Sequence, residues 1–259
     1  MIFRQPKDLK ELEEVLASRS GNSILAAGCT DLLPQKLGKP WTADEIVDLT
    51  QVAEMKEIRL EGGELSIGAC CTHAQIAEDE RVRKHFRALA QACSQVGSVQ
   101  IRNRGTIGGN IANGSPAADT APCLLLFGAK TETAGTQGEC ITGFRLPLPE
   151  EGAVSAFEKL GDRDIVTIAR IQLAIKSVLK DGRLSSVRVV LGAAGKKPFF
   201  CEEAAQVLEG RRTDDLPKEA FAEALSRAVE QSIPGRSTLA YKRKAVYGPA
   251  FDLLAQFRS

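Results

Sequence analysis

Between Arg104 and Pro122 the chain reads R-G-T-I-G-G-N-I-A-N-G-S-P-A-A-D-T-A-P. Gly105, Gly108 and Gly109 fall within five residues, among small side chains and hydroxyls. Glycine adds no side-chain bulk and reaches positive φ cheaply, so such a run describes backbone that must come close to something flat or anionic. Thr106 and Asn110 flank Gly108 and Gly109, offering hydroxyl and amide donors beside bare backbone. A tight turn between strands would also account for the run, and the segment alone leaves both readings open.

A second glycine-bearing turn, L-A-A-G-C-T-D-L-L, runs from Leu25 to Leu33 where a strand pattern hands over to the next element. Backbone N–H groups exposed at such a turn donate to phosphate oxygens. Neither segment fits a standard nucleotide motif. Gly108-Gly109 followed by Gly114 is not G-x-G-x-x-G, and no G-x-x-x-x-G-K-[ST] occurs in the chain, which argues against a dinucleotide Rossmann fold or a P-loop NTPase.

Around these turns the chain alternates helix and strand patterns. Leu9, Leu12, Val15 and Leu16 line one face of a helix over residues 7–18, followed by strand candidates at Ser23–Ala27 and Glu45–Leu49. Ile58, Leu60, Leu65 and Ile67 alternate about Gly62-Gly63, the mark of a hairpin. The pattern predicts one long helix from Thr72, as N-cap, to Val96, and a further helix opened by Asp119 as N-cap, with Pro122 in its first turn and Gly128 at its end. Past Pro149 come strand runs at Val154–Leu160, Ile165–Ser177 and Leu184–Ala194, the turn Lys180-Asp181-Gly182-Arg183, and helices over Glu202–Leu208, Lys218–Gln231 and Tyr241–Phe257. This predicts three parts: residues 1–55 and 56–150 as two subdomains, and 151–259 as an α+β domain.

Composition narrows the function. The 259 residues are 43% hydrophobic and 26% charged, with a formal net charge of +1, so nothing steers the chain toward nucleic acid or an anionic membrane. Residues 1–20 carry too many charges for a signal peptide or membrane span, and a cytoplasmic location is the expectation. Seven scattered cysteines without a C-x-x-C, and only two histidines, predict mostly buried free thiols and no metal site. Strand alternation is the reading for adjacent Cys70 and Cys71. His73 and His85 read as surface or capping residues, and there is no nucleophile elbow and no H-E-x-x-H. No catalytic residue is assigned; chemistry performed here would be carried by a cofactor.

Taken together, A-A-G-C-T-D-L-L-P (Ala26–Pro34), T-I-G-G-N-I-A-N-G-S-P-A-A-D-T-A-P (Thr106–Pro122), F-E-K-L-G-D-R, V-V-L-G-A-A and Y-K-R-K resemble the FAD-binding (medium) subunits of molybdenum hydroxylases, the xanthine dehydrogenase and carbon monoxide dehydrogenase family. The match runs in order over essentially the whole chain. It implies an α+β architecture: a two-subdomain FAD-binding fold of the vanillyl-alcohol oxidase/PCMH type, holding FAD between the subdomains, then a C-terminal domain of the carbon monoxide dehydrogenase flavoprotein type. Carried over by position, Leu25, Ala26, Ala27, Gly28, Cys29, Thr30, Asp31 and Leu32 would wrap the FAD diphosphate. Thr106, Ile107, Gly108, Gly109 and Asn110 would form a second flavin loop, and Asp119 would contact the cofactor. Val96, Ile141 and Lys159 fall at further flavin positions, with Glu158 the alternative to Lys159.

Two departures stand out. Where many relatives have A-G-G-T-D, this chain has Cys29, and the position of Val96 is aromatic in some relatives. There is also no cysteine-bearing insertion for an additional iron–sulfur cluster and no pattern for covalent flavin attachment. The resemblance implies non-covalent FAD, a small [2Fe–2S] partner, a large partner carrying the molybdenum cofactor, and electrons passing from the clusters through FAD to NAD⁺ or another acceptor in a heterotrimeric complex. A stand-alone flavin oxidase and a cofactor-free scaffold subunit are the alternatives. The first lacks a local base, and the second draws only on Cys29.

Overall fold

The computed structural model describes residues 1–163 and 165–257. The chain opens with β1 (Ile2–Arg4), which the pattern does not announce, and α1 (Leu9–Ser18). Asp8 caps α1 by accepting from the Glu11 N–H at 2.8 Å, and the helix buries Leu12 and Leu16. There follow β2 (Ser23–Ala26), α2 (Leu32–Lys36) and β3 (Glu45–Asp48). The three strands form a parallel sheet in the order β1-β3-β2. The predicted hairpin is present as β4 (Ile58–Glu61) and β5 (Glu64–Gly68), turning on Gly62 and Gly63 at φ 58° and 80°.

The long helix predicted from Thr72 to Val96 is instead three: α3 (His73–Glu78), α4 (Glu80–His85) and α5 (Arg87–Ser94). Its start is as expected. Thr72 Oγ1 accepts from the Gln75 N–H and Gln75 Oε1 accepts from the Thr72 N–H, a reciprocal capping box. The first break is Asp79, in extended backbone, whose carboxylate accepts from the N–H groups of Arg81 and Val82 and so starts a new helix. The second is Phe86, non-helical at φ −133° with its ring fully buried. Val82, Phe86, Leu89 and Cys93 keep a helical apolar spacing through the second break, and the first falls in the charged run Glu78-Asp79-Glu80-Arg81, which reads equally well as a solvent-facing helical turn.

Four-residue α6 (Val99–Arg102), α7 (Ile107–Ala112) and α8 (Ala121–Leu126) come next. Pro122 occupies the first turn of α8 and Gly128 lies beyond its end at φ 66°, as expected, but Thr120, not Asp119, stands at the N-cap, and its side chain does not cap the helix. Two further strands, β6 (Lys130–Ala134) and β7 (Cys140–Pro147), complete an antiparallel sheet β4-β5-β7-β6. Edge strand β6 reads K-T-E-T-A, too polar for an alternation signal.

A second antiparallel sheet, β11-β10-β9-β8, contains β8 (Ala153–Leu160), β9 (Ile171–Lys180), β10 (Arg183–Gly192) and β11 (Phe199–Phe200). The predicted turn at Lys180–Arg183 joins β9 to β10, with Asp181 and Gly182 at φ 51° and 70°. Strand β9 starts six residues later than its apolar run. Ile165 and Ile168 are exposed in the preceding loop, and Arg170 closes that loop on Asp162 through two hydrogen bonds. Helices α9 (Glu202–Leu208), α10 (Lys218–Ser232), α11 (Leu239–Ala245) and α12 (Tyr247–Ala255) end the described chain. The last two replace one predicted helix.

The chain divides into two compact units. The first comprises Met1–Ile76, Val99–Gly114 and Ala129–Pro147; one of its buried clusters joins Leu12, Leu16, Val47, Met55, Cys70 and Cys140. The second comprises Ala77–Ser98, Ser115–Gly128 and the chain from Leu148 on, and its core sets the β8–β10 sheet against α9, α10 and α12. Among the described residues no helix is long and apolar enough to cross a membrane.

Candidate functional site

In the first unit, the chain leaving β2 turns through Ala27-Gly28-Cys29-Thr30-Asp31 into α2. Cys29 stands at φ 60°, a left-handed conformation that costs an L-residue with a Cβ about 1–2 kcal/mol. Among the described residues, no protein acceptor meets the backbone N–H groups of Gly28, Cys29, Thr30, Asp31 or Leu32. These donors run in succession at a strand-to-helix turn, the arrangement that concentrates positive potential for an anion. Asp31 is exposed and accepts from Asn113 Nδ2 at 2.9 Å, tying the turn to the end of α7.

The second glycine segment is built differently. Every early N–H of α7 already has a protein acceptor. Ile107 donates to Cys71 O at 3.0 Å, Gly108 to Ala69 O at 2.9 Å, Gly109 to Thr106 Oγ1 at 3.1 Å and Asn110 to Thr106 O at 2.9 Å. The segment therefore does not present bare backbone donors. Its glycines serve packing instead. A Cβ on Gly108 would lie 2.6 Å from the Cβ of Ala69, and one on Gly105 3.0 Å from Ile101 O. A Cβ on Gly28 would fall on the Arg104 carbonyl, so Gly28 lets the first turn lie directly on the second. Gly109 alone of these is exposed; its missing Cβ would meet only the Thr106 hydroxyl, at 2.9 Å.

His73 lies beneath both turns, which overturns its reading as a surface or capping residue. It is 2% exposed, its N–H donates to Gly105 O at 3.0 Å, and the space of a Gly105 Cβ is bounded by His73 Cδ2 and Thr30 Oγ1. Burial, with the nearby Arg102 guanidinium, pulls its pKa from 6.5 to about 4, and Nδ1 has no hydrogen-bond partner among the described residues. Cys70 and Cys71 are both buried beyond the end of β5, with Sγ atoms directed to Leu49 O and Glu57 O, so strand alternation does not explain them. Burial pushes the Cys70 thiol up to about 12. Ile141, on β7, packs half-buried against the first unit's core.

In the second unit, Asp119 is 7% exposed and does not cap α8. Its Oδ2 accepts from Lys159 Nζ at 2.7 Å and its Oδ1 from Gln172 Nε2 at 2.6 Å. Burial pushes the Asp119 carboxyl up, while the Lys159 ammonium and the Gln172 amide pull it down. Lys159, its side chain only 4% exposed, also donates to Gln95 O at 3.2 Å. An ammonium has three donors, and this one commits two. Alternation on β8 sends Glu158 elsewhere, to accept from Gln256 Nε2 at 2.6 Å. Val96 follows α5, its N–H donating to Cys93 O at 3.3 Å.

The structure thus brings Gly28 against the Arg104–Gly105 backbone in one unit and Asp119 against Lys159 in the other. Sequence reading missed His73, Asn113 and Gln172. Only Gln172 carried a visible signal, a lone amide inside the apolar run I-Q-L-A-I.

Residues 2–147 match the family described as the FAD binding domain in molybdopterin dehydrogenase, and residues 155–257 match the carbon monoxide dehydrogenase flavoprotein C-terminal domain. A putative xanthine dehydrogenase FAD-binding subunit of Escherichia coli is 31% identical over 250 residues, 88% of this chain and 85% of that protein. A nicotinate dehydrogenase FAD-subunit of Eubacterium barkeri is 28% identical over 272 residues, covering 95% and 92% of the two chains. In fold, the chain is similar to a solved chain of quinoline 2-oxidoreductase from Pseudomonas putida 86, with a TM-score of 0.85, 22% identity and coverage of 100% of this chain and 98% of that one.

Proposed function

The chain belongs to the FAD-binding domain family of molybdopterin dehydrogenases, and from that premise we propose that it is the FAD-carrying electron-transfer subunit of a molybdenum hydroxylase complex. The complex would pair it with a large subunit bearing the molybdenum cofactor and a small subunit bearing [2Fe–2S] clusters. Bound FAD would supply the redox chemistry, receiving electrons from the clusters and delivering them to NAD⁺ or another acceptor. The observation that carries this reading is the run of unpartnered backbone donors from Gly28 to Leu32.

On this reading the two glycine turns divide their work. Leu25 to Leu32 hold the FAD diphosphate, because that turn keeps its N–H groups for an anion. Thr106 to Asn110 contribute through side chains and close approach at Gly109, since the backbone N–H groups from Ile107 to Asn110 are engaged. Val96, Ile141, Asp119 and Lys159 contact the flavin portion. The third N–H of Lys159 and the remaining lone pairs of Asp119 suit the polar edge of an isoalloxazine or the ribityl hydroxyls. None of these residues needs to move a proton to substrate. Their task is to bind, orient and set the local charge.

The test is direct. The full chain, titrated with FAD, should bind it tightly enough to show perturbed flavin absorbance. Purified from its native source, it should bring along a molybdenum subunit and a [2Fe–2S] protein. A chain that neither binds FAD nor co-purifies with such partners would sink the proposal.

A further inference from the structure

We propose that Gln172 is a positioning residue of the flavin site: its buried amide clamps the Asp119 carboxylate on Lys159, leaving both charged groups fixed toward the bound flavin. The inference rests on the reading that Asp119 and Lys159 contact FAD, and it adds a residue that has no flavin contact of its own.

The sheet register sets up the clamp. Gln172 on β9 pairs directly with Lys159 on β8 and with Gly192 on β10, so the three side-chain positions lie in one row across the sheet and on one face. Gln172 is fully buried, and Nε2 donates to Asp119 Oδ1 at 2.6 Å and to Ala117 O at 3.2 Å. The amide can take only this orientation. Flipped, it would set Oε1 against a carboxylate oxygen and a carbonyl oxygen, two acceptors with no proton between them.

Two features are hard to account for if Gln172 merely fills space. Its Oε1 is buried with no hydrogen-bond partner among the described residues, an unfavourable state that a methionine at this position would avoid. Gly192 makes room for it: a Cβ there would lie 2.5 Å from Gln172 Oε1 and 2.6 Å from Pro122 Cγ. The site thus tolerates an unsatisfied acceptor in order to hold a donor against Asp119. Without that donor, Asp119 Oδ1 loses the hydrogen bond it accepts from the Gln172 amide inside a buried site, and the carboxylate is free to rotate about Lys159. An ion pair in that condition no longer presents a fixed ammonium.

The experiment compares Gln172→Met, Asp119→Asn and Lys159→Met in the full FAD-loaded chain, reading the flavin midpoint potential by dye equilibration, FAD affinity by titration, and folding by thermal melting. Gln172→Met should fold as well as the parent. It should shift the potential in the same direction as Asp119→Asn and by less, and weaken FAD binding about tenfold, as expected for loss of a hydrogen bond to a charged group. In the Asp119→Asn background it should add nothing. If Asp119→Asn and Lys159→Met move the potential and Gln172→Met does not, the positioning role is refuted while the flavin site stands. If none of the three moves it, the flavin contact itself is wrong and the role falls with it. Should Gln172→Met fail to fold, Gly192→Ala displaces the amide without removing it and should shift the potential the same way; an unshifted potential there overturns the proposal.

Discussion

Acidification should loosen the first unit through His73, and the size of the effect follows from its burial. The imidazole is 2% exposed and binds its proton near pH 4, whereas in an unfolded chain it binds near 6.5. Between those values the unfolded state holds more protons on this side chain than the folded state, so stability falls as pH falls. The contribution is complete above about pH 6.5 and lost by pH 4. The full difference corresponds to about 3 kcal/mol, and roughly 2 kcal/mol of it is lost by pH 5. His73→Leu removes the titrating group. Urea unfolding of both proteins at pH 7 and pH 5 isolates its share, because every other titrating group is common to the pair. The parent should lose about 2 kcal/mol more than the variant across that interval. Since His73 sits against Gly105 and Thr30, the parent should also release FAD at a higher pH than the variant. An equal loss of stability in the two proteins would show that His73 does not titrate against burial.

Glycines within one motif should respond unequally. Gly28→Ala and Gly108→Ala force backbone apart and should each cost about 1–3 kcal/mol with loss of bound FAD, measured by denaturation and flavin content. Gly109→Ala meets only a hydroxyl and gains helix propensity, so stability should stay within about 1 kcal/mol of the parent; a collapse comparable to Gly108→Ala would contradict the packing argument. Cys29→Gly relieves a left-handed cysteine and should raise stability by about 1 kcal/mol with FAD binding kept, whereas a lower melting temperature would mean the thiol matters to the turn. Thr106→Ala removes the cap on Gly109 N–H and should cost about 1 kcal/mol, while Thr106→Ser should restore it, both read by thermal melting.

Local patterns in the sequence located the elements better than the joints. The hairpin at Gly62-Gly63, the cap at Thr72 and the turn at Lys180–Arg183 were legible because each depends on a few neighbouring residues with fixed backbone demands. The breaks at Asp79 and Phe86 were not: buried Val82 and Leu89 keep a helical spacing across the second, and at the first a single capping aspartate sits in the charged run Glu78-Asp79-Glu80-Arg81 that suits an exposed helical turn as well. Asp119 shows the same limit at the candidate site. Its position before Pro122 made it a good cap by every local criterion, and what claims it is a lysine forty residues away and an amide on the next strand.

The glycine segment illustrates why a motif is a poor guide to what its atoms do. Close approach was the correct inference from R-G-T-I-G-G-N, but in the structure the approaching partner is largely the protein itself. Gly108 admits Ala69, and Gly28 admits the Arg104 carbonyl. That packing has a consequence for charge. With the N–H groups of Ile107, Gly108 and Gly109 committed to Cys71, Ala69 and Thr106, only the first of the two glycine turns, at Gly28 to Leu32, keeps a series of backbone donors unpartnered among the described residues. On the proposed reading, a diphosphate bound there would have a defined seat rather than two competing ones, and the glycines of the second segment would act on the cofactor mainly by holding the first turn in place.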